Sequence, residues 1–397
     1  LLQREIVNTE SKLKGLEKEF SSVSNNVKIQ LTAWGTKFKE VGNKIKDLGS
    51  KFKILSGLSA GALIGATKSA VDFETAFTGV QKTVDGTEQQ LAELRDGLLE
   101  LSKRTASSSS DIASVAEAAG QLGVSTENVL AFTETMVRLG DSTNLSADEA
   151  ASAIAKLYNV MKSDINSVDR FGAAIVELGN NAATTEADIL NMATRIAASS
   201  KQIGLNEAQV LGFATTLSSL GLEAEAGGTA FSKIMTSIDK AVSTNSKTLQ
   251  TWAKISGMSV SDFKKQWETD AAGALEAMIR GLGRFKDEGG NVNLLLSELG
   301  LNEVRVADTM KRLTNAGDLT TNMLNLSNKA WRENSALTKE SDKRYQTTAS
   351  KIQQLKNSFV ELGVKLGEIL LPIVKKVVDG LKGFTNWLSS LDKGTRV

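Results

Sequence analysis

The sequence predicts an all-α protein in which long coiled-coil-like terminal helices flank a multi-helix core of repeated helical units. Three observations predict it. One proline, Pro372, stands in 397 residues, where average usage near ~5% would supply about twenty, so almost nothing interrupts helices. Turns must then rely on the 33 glycines. Apolar residues at both ends recur in alternating steps of three and four, the period of a helix that lies against other helices. With 41% hydrophobic but only 5% aromatic residues, the core is expected to be Leu, Ile, Val and Ala.

The first element is a seam running through Leu2, Ile6, Leu13, Leu16, Phe20, Val23, Val27, Leu31, Trp34, Phe38, Val41, Ile45, Leu48, Phe52 and Leu55. Thr9 fills one position, and the doubled step Val23, Val27, Leu31 is a single stutter. Residues 36–56 repeat a seven-residue phrase as TKFKEVG, NKIKDLG and SKFKILS. As a helix the segment would be roughly 80 Å long. Its stripe is too narrow to bury itself, so association with another long helix or self-association through the heptad seams is expected, with trimer and hexamer as candidate orders of the latter. Gly35, Gly42 and Gly49 sit beside the seam, where close backbone approach would offset about 1 kcal/mol of lost helix propensity each. Lys37, Lys39, Lys44, Lys46, Lys51 and Lys53 line it. They are read first as a solvated face that sets partner register, and second as a surface for anionic lipid or phosphate.

A junction is expected over Ser56 to Ser69, then short amphipathic helices to about 245. Ser146 with Glu149 and Thr185 with Asp188 have capping-box spacing, and Asn206 stands three residues before Gln209. Leu139-Gly140, Leu178-Gly179, Leu220-Gly221 and Leu299-Gly300 read as last apolar residue and C′ glycine. Those stops lie 39, 42 and 79 residues apart, which suggests units near 40 residues with one stop missing. GVSTENVLAF at 123–132 aligns with GLNEAQVLGF at 204–213, an offset of 81; Asp111-Ile112 aligns with Asp188-Ile189 at 77. A duplication with a four-residue indel is implied, and GLNEVRV at 300–306 echoes it again.

Residues 105–110, TASSSS, read as a loop before the Asp111 helix, and Gly227-Gly228 as a bend between helices. Beyond 246 come two or three more helices, including Ser259 to Phe285, and a polar linker around 327–345. A second seam follows: Ile352, Leu355, Phe359, Leu362, Leu366, Ile369, Ile373, Val377, Leu381, Phe384, Leu388 and Leu391. Pro372 should kink it or start a new helix. The domain division is 1–66 heptad segment, 67–245 core with internal repeats, 246–340 additional helical region and 341–397 C-terminal amphipathic helices. The chain begins LLQREIV, without Met and in heptad register, which reads as a segment of a longer protein.

Chemistry is narrowly bounded. Histidine and cysteine are both absent, which removes the usual near-neutral base, every thiol nucleophile and the nitrogen and sulfur ligands of zinc. A balance of 47 basic against 46 acidic residues argues against a dedicated nucleic-acid binder. Gly61 to Ser69, GALIGATKS, lacks the Lys directly after the second glycine that a phosphate cradle requires. Ser261 and Lys264 have nucleophile-base spacing without companion motifs, and read as an exposed first helical turn. Asp148 with Glu149 and Glu223 with Glu225 are carboxylate neighbours that helix starts favour for dipole reasons. No catalytic, cofactor-binding or metal-binding residue is therefore predicted, and no enzyme.

AVDFETAFTGVQKTVDGT at 70–87, LGVSTENVLAFTETMVRLGDSTNLSADEAA at 122–151 and LGLEAEAGGTAF at 220–231 resemble the conserved core of phage tail tape measure proteins. The glycine-punctuated heptads before it and ELGVKLGEILLPIV at 361–374 resemble that family's flanks. The resemblance implies a structural virion protein, made in the host cytoplasm, that occupies the tail tube lumen, sets tail length during assembly and is expelled at DNA ejection. It implies tail tube protein and tail assembly chaperones as partners, with transient membrane or DNA contact as a secondary expectation. The long transmembrane runs and cell-wall hydrolase domains that many family members carry have no counterpart here. The rival reading is a membrane-active helical translocator or pore-forming protein.

Overall fold

A computed structural model describes residues 60–365, with side chains from Ala70 onward. The chain divides into two units, Leu1–Gly65 and Ala66–Val397. The first seam and the second beyond Lys365 lie outside the described residues. Every regular element among the described residues is helical.

The elements run α1 Ala60–Thr83, α2 Glu88–Arg104, α3 Ser109–Gln121, α4 Thr126–Ser142, α5 Ala147–Met161 and α6 Val168–Asn181. Next come α7 Glu186–Gln202, α8 Glu207–Ser219, α9 Thr229–Thr244, α10 Thr248–Ser256, α11 Val260–Thr269 and α12 Ala271–Asp287. The series continues with α13 Val292–Glu298, α14 Val304–Leu313, α15 Gly317–Glu333 and α16 Ala336–Tyr345, and closes with α17 over 348–365.

From α3 to α8 the chain makes three helical hairpins. N-caps at Ser108, Ser146 and Thr185 each accept the N3 amide of an acidic residue, Asp111 (3.1 Å), Glu149 (3.2 Å) and Asp188 (3.2 Å). Each satisfies a donor that the helix start leaves unpaired. A fourth start at Glu223 keeps the spacing of 38 or 39 residues but has no side-chain cap. First helices of the hairpins pack side by side, α3 on α5 and α5 on α7, as do second helices, α4 on α6 and α6 on α8. The two layers bury between them a core that includes Ile112, Phe132, Ile154, Phe171, Ile196 and Phe213.

Two offsets seen in the sequence now have a structural place. The aligned stretches belong to the first and third hairpins, so they skip the middle one. α7 has 17 residues against 13 in α3, so the four-residue difference lies inside the first helix of the hairpin. Four residues are close to one turn, so the added length leaves the buried face facing the same way. Both first helices end in one device: Gly123 and Gly204 at φ +81°, followed by Val124 N–H on the Ala119 carbonyl (3.1 Å) and Leu205 N–H on that of Ser200 (3.0 Å). In the middle hairpin Lys162 occupies this left-handed position, φ 52°, which hides the period from a reading based on glycine.

Other expectations are corrected. Residues 60–69 of the expected junction continue as helix into α1; without proline nothing stops the backbone there. Gly140 and Gly179 are not C′ residues but lie inside the last turns of α4 and α6. A Cβ on Gly140 would come within 2.8 Å of the Ala147 amide, and one on Gly179 within 2.6 Å of the Glu186 side chain. These glycines make room for the start of the next helix. Gly221 (φ 71°) and Gly300 (φ 69°) do follow their helices as read. Gly227-Gly228 is a wide π turn, Ala224–Gly228, that runs straight into α9 and lies against Arg195 and Met192. Ser259 to Phe285 is two helices, broken where Asp270 leaves helical geometry and caps α12 through the Gly273 amide (3.0 Å). The TASSSS loop ends at Ser108, which caps α3.

The expected polar linker at 327–345 is instead the last two turns of α15 and all of α16. Within that range the buried face is mostly small and hydroxylated, Ser327, Ala330 and Ser341 beside Leu337 and Tyr345, so bulk hydrophobicity does not announce it. α15 packs on α6 and α8, and α16 on α4 and α6. Ser327 Oγ donates to the Ala208 carbonyl (2.6 Å), and Trp331 meets the edge of Phe171 at 6.1 Å.

Candidate interaction surface

Helix α17 presents two unlike faces. It starts at Thr347, whose Oγ1 accepts the Ser350 amide (3.3 Å), while Ser350 Oγ donates to the Arg344 carbonyl (2.8 Å). Asn357, Val360 and Val364 recur at steps of three and four and are buried, Asn357 to 1% exposure.

This buried face closes the end of α2. The last carbonyls of a helix have no partner of their own. Asn357 Nδ2 donates both its hydrogens, to the Ser102 carbonyl (2.7 Å) and to the Ser107 carbonyl (2.8 Å), and Gln354 Nε2 reaches the Arg104 carbonyl (3.2 Å). A side chain some 250 residues away thus caps α2. Around it, Lys103 bridges Glu361 (2.8 Å) and Glu100 (2.5 Å), and Glu361 also meets Lys365 (2.6 Å). Asp141 ties the adjoining loop by accepting from the Ala106 amide (3.0 Å) and Ser107 Oγ (2.8 Å). Burial, with Asp141 nearby, pushes the Tyr345 hydroxyl well above its usual range.

The opposite face carries the described part of the second seam. Ile352 is 51% exposed and Leu355 53%, with Phe359 and Leu362 half-buried beside them. None of the four joins the buried core. The sequence singled out this stripe but not the docking face, which reads as solvent-facing polar residues; the short stripe Asn357, Val360, Val364 was the available signal.

The other residues weighed for chemistry are dispersed. Gly61 to Ser69 lies within a continuous helix rather than a phosphate-binding loop. Lys264 donates to Asn245 Oδ1 (3.1 Å) from the exposed side of α11, and Ser261 is exposed. Glu149 accepts from the Ser146 amide (3.0 Å), and that backbone bond, with the Ser146 hydroxyl, holds its carboxyl below the usual range. Asp148, Glu223 and Glu225 are exposed. Among the described residues no cluster of three or more carboxylates is arranged to hold a metal ion. No described helix is long and apolar enough to cross a membrane.

Comparison with known proteins points in one direction. The phage-related minor tail protein family matches residues 95–295. Over 411 aligned positions the chain is 24% identical to a probable tape measure protein of Clostridium phage phiCD119, covering 99% of this chain and 39% of that protein. It is 25% identical over 227 positions to a probable tape measure protein of Halomonas phage phiHAP-1, covering 54% of this chain and 26% of that one. The chain thus spans well under half the length of either relative. No solved structure matches it.

Proposed function

Because the chain belongs to the phage-related minor tail protein family and so has a structural role in a phage tail, we propose that it is the length-determining part of a tape measure. In this reading it lies in the lumen of the growing tube, sets tail length by its own extended length and leaves when DNA is ejected. The observation that carries the reading is the alignment of 99% of the chain with a probable tape measure protein, heptad flanks included.

A helix can serve as a ruler because its rise per residue is constant, ~1.5 Å. The hairpins at 109–219 spend their residues on a packed core, so the ruler is assigned to the heptad stretches, and the core, built by duplication of a hairpin unit, to a body between them. The four-part division 1–66, 67–245, 246–340 and 341–397 is retained as part of this proposal. Tail tube protein and assembly chaperones are the partners it requires, and self-association through the seams supplies the register. Deleting one or two heptads in frame within residues 1–55 tests it. Tails measured by electron microscopy should shorten by about 10 Å per heptad, and tails of unchanged length would reject a ruler role for that segment.

A further inference from the structure

We propose that the exposed edge of α17, Ile352, Leu355, Phe359 and Leu362, receives residues 2–19 of a second copy of this chain, antiparallel, with Leu355 opposite Leu13. The inference rests on reading both stripes as docking edges, and it names what meets what.

Helix α17 docks on its own body through Asn357, Val360 and Val364, so its a and d positions, Ile352 to Leu362, point away from that contact. The flanking e and g positions hold three exposed lysines, Lys351, Lys356 and Lys365. Like with like is thereby disfavoured, since a parallel self-pair sets Lys351 against Lys356 of the other copy. In residues 2–19 the corresponding flanks are acidic: Glu5, Glu10, Glu17 and Glu19 against Lys12 alone. Arg4, Lys14 and Lys18 fall on the outer face of the same heptads.

One antiparallel register satisfies both segments. With Leu355 opposite Leu13, Ile352 meets Leu16 and Leu362 meets Ile6, in alternating a–d layers. The bulky Phe359 then falls on Thr9, the one small polar member of the first seam. The flanks pair Lys351 with Glu19, Lys356 with Glu10 and Lys365 with Glu5, and Lys12 faces the neutral Ser358. Sliding by one heptad either way sets Lys12 against Lys351 or Lys365. Residues 2–19 of the same chain are the competing occupant, and the mass of the cross-linked product separates the two.

The chain has no cysteine, so introduced thiols report only on each other. In the full chain, Lys356→Cys combined with Glu10→Cys should oxidise to a dimer-mass disulfide, and Lys356→Cys combined with Glu17→Cys, one heptad out of register, should do so several-fold less. Reversing Lys351 and Lys356 to Glu, which leaves the Lys365–Glu361 pair of the anchor in place, should weaken association roughly tenfold, and reversing Glu10 and Glu19 to Lys in the same chain should restore it. A dimer formed by Lys356→Cys alone overturns the proposal in favour of like-with-like pairing, and leaves the docking-edge reading intact. A disulfide within one chain overturns the second-copy assignment. A chain that sediments as a monomer at high concentration removes the docking-edge reading itself.

Discussion

Helices α15 and α17 both return to elements laid down much earlier in the chain, α15 to the third hairpin, 119 residues earlier for Ser327 on Ala208, and α17 to the end of α2, 255 residues earlier for Asn357 on Ser102. They are held by opposite means. α15 lies against α8 closely enough that a Cβ on Gly212 would sit 3.0 Å from the Leu324 Cα, and its inward face is largely dry. Over its described residues α17 is held by three amide hydrogen bonds and an ion-pair chain, with Val360 and Val364 as its buried apolar contacts. A net hydrogen bond contributes about 1 kcal/mol once exchange with water is counted, whereas close packing is stabilising in proportion to the area removed from water. The difference predicts that α17 opens before α15 does, and α17 is the helix that carries the exposed apolar residues Ile352 and Leu355.

The largest effect that would sharpen this contrast is expected at Gly212. Gly212→Leu forces a side chain into the Leu324 backbone and should lower unfolding free energy by about 3 kcal/mol, the upper range for overpacking, read as a lower urea midpoint. A stability change within error would mean that the α8–α15 contact is looser than its geometry indicates.

Next is Asn357→Ala, which leaves the Ser102 and Ser107 carbonyls without their donor in a buried place. The loss should be about 2 kcal/mol, confined to α17 and the end of α2. Hydrogen exchange over 348–365 should then accelerate roughly 30-fold, with α7 and α8 unchanged. An equal acceleration throughout the hairpins would show that α17 is an integral part of the core, and the comparison would fail.

What could be read in advance follows the same division. Caps at Ser146, Thr185 and Asn206 were legible because the donor and acceptor lie within three residues of each other. The all-helical class was legible because one proline leaves helices uninterrupted and apolar residues recur in steps of three and four. Gly140 and Gly179 were misread because a glycine that admits a neighbouring helix and one that ends its own look alike in sequence. The middle hairpin was obscured by Lys162 in a glycine's conformation. The end of α15 and all of α16 looked like a linker because Ser327, Ala330 and Ser341 share the buried face with few bulky apolar residues, Leu337 and Tyr345. At the candidate surface the apolar stripe was visible, whereas Asn357 and Gln354 serve carbonyls about 250 residues away, a relation no local pattern records.

The smallest expected effect separates the two regions by pH. Burial alone would raise the Glu361 pKa, but its bonds to Lys103 and Lys365 prevail and hold it below 4.5. A carboxyl depressed on folding contributes stability above its unfolded pKa and loses that contribution as pH falls through the folded value. Lys103 has the opposite sign: burial lowers it, Glu100 and Glu361 raise it more, and its contribution fades only as pH rises past 10.5 through the raised value. Between these limits the anchor of α17 should be indifferent to pH, and below about pH 4.5 it should loosen first. The hairpins contain an acid-sensitive group as well, Glu149, but it is exposed and serves one cap, so acid should fray the start of α5 without parting the layers. Exchange in α17 should therefore rise at a higher pH than exchange in α7 and α8 during an acid titration. Glu361→Gln should flatten that early step and cost less than about 1 kcal/mol at neutral pH, as partly exposed ion pairs do. Coincident acid transitions in both regions would show that the ion-pair chain is not what holds α17, leaving Asn357 and the two valines to account for its docking.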